Sequence, residues 1–156
     1  MTVRVMLQRS ALLIGFVTGA LVASSGDLEG VWLVANHEAH VELRDCGEAL
    51  CGEIVWLREP HDEHGRERVD EHNPDKTLRD RTILGLEILR GLKRSPDTED
   101  LWVGGTIYDP ESGRTYRCKL RRDGEEHLKL RGFWGISLLG KTTRWTRVSA
   151  STPEAR

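Results

Sequence analysis

The chain has 156 residues, enough for one domain with a modest core, and carries 23 basic and 25 acidic side chains for a formal charge of −2. That near balance does not suggest a nucleic-acid binder, which usually demands a basic surface. Five tryptophans among many Val, Ile and Leu exclude a disordered composition.

Residues 1–25 predict a cleaved secretory signal. Arg4 and Arg9 precede an uncharged, mostly apolar run from Ala11 to Ala23, and small residues follow at Ser24, Ser25 and Gly26. A spanning helix wants about 20 apolar residues, and this run is shorter and broken by Gly15, Thr18 and Gly19. Without Arg4 and Arg9 the mature chain carries 21 basic residues against 25 acids, a formal charge of −4. It holds no further stretch apolar enough to span a membrane, so a periplasmic or secreted protein is expected. One domain is expected over 26–150, with a disordered tail over 151–156.

The mature chain is punctuated like an all-β protein, with Gly, Pro and Asp clusters between alternating runs. Ala39, Val41 and Leu43 share one face, and a return run follows from Cys51 to Leu57. Pairing these as a hairpin with Cys46 opposite Cys51 sets Leu43 against Ile54, Val41 against Trp56 and Arg44 against Glu53. Trp56 then reads as core. Export permits a Cys46–Cys51 disulfide, which is favoured over two reduced thiols.

Residues 58–81 are charged, contain Pro60, Gly65 and Pro74, and show no periodicity. A loop this long in a compact domain often carries function. Residues 82–92 permit a short helix, but two glycines and the β-branched Thr82, Ile83 and Ile88 favour a strand.

A second hairpin turns at Pro110–Gly113. Its register sets Asp109 against Arg114, Ile107 against Tyr116, Gly105 against Cys118 and Val103 against Leu120. Cys118 reads as a small buried hydrophobe. Trp102 and Tyr108 fall on the opposite face, either as an exposed aromatic patch for a partner or beneath the long loop. Two more runs, Glu126–Gly132 and Lys141–Val148, bring the count to about eight strands. A single small antiparallel β-barrel with one long polar loop accounts for this.

Gly30-Val31-Trp32 opens the first strand and Arg147 sits in the last. This resembles the lipocalin and other calycin barrels, in which a Gly-x-Trp begins strand one and a late Arg packs across the Trp ring. Arg144 is the rival for that role. A longer resemblance runs from Gly30 to about Val148, to the exported bacterial family known as domain of unknown function 2147. It is carried by Cys46-Gly47-Glu48-Ala49-Leu50-Cys51-Gly52, by Asp70-Glu71-His72-Asn73-Pro74-Asp75, and by Trp102-Val103-Gly104-Gly105-Thr106-Ile107-Tyr108-Asp109-Pro110. Arg131-Gly132-Phe133 and Leu139-Gly140 continue it. The resemblance implies export and a calycin-like barrel, and brings no established activity.

Candidate ligand-binding residues are Asp70, Asn73, Asp75, Arg79 and Arg81 in the long loop, with Trp102 and Tyr108. The loop residues offer both signs of charge, although the same side chains can cap turns or pair with one another. His61, Asp62, Glu63, His64 and His72 lack zinc-ligand spacing, so neither metal nor cofactor is expected. Ser137 lacks the glycines of a nucleophile elbow, and no phosphate loop appears. The expectation is a non-catalytic binding module for a small apolar or amphipathic ligand. A cell-envelope interaction protein with a filled barrel and a protein partner is the alternative, and an enzyme comes third.

Overall fold

The computed structural model describes residues 28–148. The signal expected over 1–25 and the tail expected over 151–156 lie outside them. Eight strands follow in chain order: β1 (Gly30–Leu33), β2 (Ala39–Asp45), β3 (Leu50–Leu57), β4 (Glu87–Arg94), β5 (Leu101–Asp109), β6 (Arg114–Arg122), β7 (His127–Phe133) and β8 (Gly140–Arg147). Each pairs antiparallel with the next and β8 returns to β1, closing the barrel. Among the described residues no helix is long and apolar enough to cross a membrane.

Alternation builds the core. Val41 and Leu43 of β2, Leu89 and Leu92 of β4, Cys118 and Leu120 of β6, and Leu128 and Leu130 of β7 all point inward and are buried. The seam between β1 and β8 is short, with Trp32 opposite Arg147 and Leu33 opposite Thr146. Among the described residues, β8 from Gly140 to Trp145 pairs with β7 alone.

Two bulges correct the expected registers. In the first hairpin Val41 lies opposite Ile54, Leu43 opposite Gly52 and Asp45 opposite Leu50, two residues off the expected pairing. A two-residue offset keeps every side chain on its face. It sets the inward Gly52 opposite Leu43, where a Cβ would sit 3.0–3.1 Å from Leu43, Val41 and Leu89, tighter than an ordinary contact. The ladder then shifts between His40 and Val41, passing over Val55. The shift reverses Trp56, which is half-exposed outside the barrel and stacked on His40 with ring centroids 4.4 Å apart. Trp56 is therefore not core.

The second hairpin keeps the expected register from Asp109–Arg114 to Gly105–Cys118, then shifts. Gly104 takes φ of +79°, a conformation open mainly to glycine, and the bulge there sets Trp102 rather than Val103 against Leu120. Trp102 is consequently fully buried, not an outer-face aromatic. The strand expected over 82–92 begins only at Glu87 and runs to Arg94. Residues 82–86 are an irregular lead-in that buries Ile83 and Leu86.

Cys46 and Cys51 are joined by a disulfide across the tight β2–β3 loop, with their Cα atoms 6.0 Å apart. Arg44 lies outside the barrel, 2.8 Å from Glu53 and 3.1 Å from Glu87. Cys118 is free and buried, and burial pushes its thiol pKa up to about 12.

Candidate functional site

The barrel is filled at one end and hollow at the other. The filled end holds Trp32, Leu43, Leu50, Leu92, Trp102, Leu120 and Leu128, all but fully buried. There the Arg147 guanidinium lies 4.2 Å over the Trp32 ring and donates to the Glu29 carbonyl at 2.9 Å. The Trp32 indole N–H donates to the Leu28 carbonyl at 3.0 Å, which satisfies it without water. Arg144 lies elsewhere, on the outer face near Asp123 at 3.5 Å.

The hollow end is bounded by the β1–β2, β3–β4, β5–β6 and β7–β8 connections. It contains a cavity of about 940 Å³. Such a volume lies at the upper end of the range that takes one small molecule. Its inner wall is formed by Val41, Ile54, Ile88, Ile107, Leu130 and Trp145, with Gly132 and Ala39 leaving room between them. The rim is mixed in charge, with Arg58, Arg68 and Lys141 alongside Glu59, Asp109 and Glu111. An apolar cup with a polar lip suits a molecule with an apolar body and a polar end.

The long loop meets the barrel in two ways. Its roots, through Arg58, Arg68 and Ile83, form part of the cavity wall. Its middle folds over the outside of β5, anchored on a buried carboxylate. Asp70 is fully buried. Its Oδ2 accepts from Arg81 Nε and Nη2 at 2.9 and 2.7 Å and from Asn73 Nδ2 at 2.7 Å, while Oδ1 accepts from the Tyr108 hydroxyl at 2.5 Å. Burial, then the hydrogen bond to Asp70, pushes the Tyr108 phenol pKa up to about 12. The loop is pressed close: a Cβ on Gly113 of the β5–β6 turn would collide with the His72 carbonyl.

The remaining loop candidates are occupied locally. Asp75 accepts from the Thr77 amide and hydroxyl at 2.9 and 2.7 Å, opening a short 3₁₀ turn over Lys76–Leu78. Those bonds hold the Asp75 carboxyl below its usual pKa. Arg79 donates to the Asn73 carbonyl at 2.7 Å. The structure thus brings Asp70, Asn73, Arg81 and Tyr108 into one network, and leaves Asp75 exposed and Trp102 in the far end of the core.

The inner wall of the cup was not singled out from the sequence. The available signal was the run of inward positions nearest the four mouth connections, with Gly132 among them.

The fold has a solved counterpart. A Helicobacter pylori protein described as belonging to the lipocalin family is similar to this chain, with a TM-score of 0.66 and 22% identity. The alignment covers 79% of this chain and 84% of that one. No curated protein matches the chain. The sequence matches a bacterial family over residues 30–147, from the strand that opens the barrel to the arginine that closes it, and the chain belongs to that family, described as an uncharacterized protein conserved in bacteria (DUF2147).

Proposed function

We propose that this protein is an exported, non-catalytic binding module that holds one small, partly apolar molecule in the open end of its barrel. The observation that carries this reading is the cup of about 940 Å³ with an aliphatic and aromatic wall. Burying an apolar body there yields about 25 cal/mol per Å² removed from water, while the charged lip keeps a polar end solvated or paired. The wall below the lip supplies packing surface rather than acids and bases, which favours binding over chemistry. The disulfide supports an oxidising compartment, the periplasm or the exterior. The open cup counts against a barrel filled by its own side chains.

Gly132 provides the test. It lines the cup, and a Cβ there would meet only Ile107 and Tyr116 at 3.8–3.9 Å, ordinary contact distances. Gly132→Leu should therefore narrow the cup without displacing the barrel. Purified protein should take up an apolar fluorescent probe such as a fatty-acyl dye, and native mass spectrometry should show a copurified small molecule. Gly132→Leu should weaken both with little change in melting temperature. Uptake that is absent from the unmodified protein, or unchanged in the variant, would remove the cup as the binding site.

A further inference from the structure

The outer surface of β6, β7 and β8 differs from the rest of the barrel. These three consecutive strands contain no acidic residue, in a chain whose acids outnumber its bases. Cross-strand pairing sets cation beside cation: Lys119 opposite Arg131, Arg121 opposite Lys129, and Lys129 opposite Arg144. Like charges directly opposed on a sheet are unfavourable unless a counter-charge is supplied. Asp123, in the turn below, supplies one to Lys129 and Arg144 at 3.1 and 3.5 Å. Among the described residues Lys119 and Arg121 form no salt bridge. On the opposite side of the barrel the charges are mixed, with Glu53 and Glu87 paired to Arg44 and Glu87 also to Arg90.

The basic strands lead up to the most apolar exposed segment of the described chain, residues 134–139 between β7 and β8. Trp134 is 70% exposed, Ile136 62%, Leu138 82% and Leu139 69%. Half of the large hydrophobics exposed among the described residues fall in these six positions, so this is a patch and not scatter. The loop is built. Arg131 donates to the Ser137 and Leu138 carbonyls at 2.8 and 3.1 Å, and the Leu139 amide donates to Ile136 at 3.1 Å. Its backbone is held by its own bonds while its side chains project. Trp134 and Leu139 also border the cup.

An apolar tip flanked by cations is the arrangement that seats at a membrane interface. The side chains enter the headgroup and acyl boundary, and the cations meet anionic lipid. The projecting loop and the acid-free strands match the charge and polarity of an anionic bilayer surface. We propose that the β7–β8 loop and the basic face of β6–β8 dock on the surface of an anionic lipid bilayer, with the mouth of the cup beside it. The docking surface stands whether or not the cup takes a ligand.

The test is quenching of tryptophan fluorescence by vesicles of brominated phosphatidylglycerol, with brominated phosphatidylcholine vesicles as the neutral comparison. Every variant keeps the same N-terminus, and the signal is assigned to the loop by its loss in Trp134→Phe. Trp134-dependent quenching is expected on the anionic vesicles, weak on the neutral ones and reduced by salt. The double variant Lys119→Glu, Arg121→Glu should weaken it about tenfold or more. Leu138→Ser should also reduce it, and all variants should melt as the unmodified protein does. Gly132→Leu should leave it unchanged, which separates this result from the fate of the ligand reading. Absence of Trp134-dependent quenching, equal quenching on neutral vesicles, or indifference to the charge reversals would overturn the proposal.

Discussion

At the floor of the barrel Trp32 and Trp102 are fully buried and Arg147 lies across Trp32. At the mouth Trp134 stands 70% exposed and the aliphatic wall faces open space. The same alternation of inward residues builds both ends. What differs is the size of the residue at each inward position and what covers it. The floor fills its section with two indoles and a ring of leucines. The mouth places Ala39 and Gly132 among its inward positions and leaves a cavity of about 940 Å³. One half is therefore packed and the other encloses a cavity.

The sharpest way to break that division is to truncate one residue from each half. Trp32→Ala should cost about 3–5 kcal/mol, the usual range for a buried large aromatic. Ile107→Ala, at a wall that already faces a cavity, should cost about 2 kcal/mol or less, because few contacts are lost where none existed on one side. Thermal or denaturant unfolding measures both. Equal losses would mean that the mouth is as tightly packed as the floor.

Next in size is the network that fixes the long loop to the outside of β5. Asp70→Asn should cost about 2–3 kcal/mol, since it weakens charge-assisted bonds to Arg81 around a buried group. It should leave probe uptake by the cup nearly intact. If uptake fell with stability preserved, the loop would belong to the binding half.

Reduction of the disulfide should remove about 2 kcal/mol, the low end expected for so short a loop. Because Cys46 and Cys51 close the β2–β3 connection at the floor, the mouth should keep its probe affinity. Denaturant unfolding with and without reductant, paired with probe titration, checks this.

The smallest effect is a pH effect. The Tyr108 phenol has its pKa raised to about 12 from 10.0, because burial and the bond to Asp70 favour the neutral hydroxyl. Its contribution to stability is fully present below pH 10 and is lost as pH rises toward 12. Absorbance titration should show an ionisation in that window that Tyr108→Phe removes. Below pH 9 that variant should show only the loss of the two hydrogen bonds of the hydroxyl, donated to Asp70 and accepted from Asn73.

Much of the barrel was legible in the sequence, and the misreadings of Trp56 and Trp102 share one cause. Period-two alternation located the strand runs of both hairpins, and the Asp109–Arg114 register followed from the turn at Pro110–Gly113. Alternation cannot show where a bulge inserts a residue, and each bulge inverts everything beyond it. Gly104 in the pair Gly104-Gly105 was a visible marker for the bulge that buries Trp102. The bulge at Val55, which exposes Trp56, has no marker, because nothing about a valine announces an unpaired position. Asp70 was legible as a residue of interest but not as a buried one. Its burial depends on Tyr108, 38 residues away, and on how the loop folds across β5, which local pattern does not encode.

The short seam between β1 and β8 has a mechanical consequence. With two paired positions at its base and, among the described residues, β8 bordered by β7 alone from Gly140 to Trp145, the barrel is a ring below and a curled sheet above. A ring resists expansion because widening it breaks ladder bonds all round. A curled sheet uncurls by small twists shared among its strands, at no cost in β1–β8 hydrogen bonds. The lip can therefore breathe while the base keeps its diameter. Lys141 and Arg144 on the free edge make it a poor template for a foreign strand. If the cup binds a molecule wider than its resting aperture, flexing one side would admit it without the tryptophan clamp beneath having to yield.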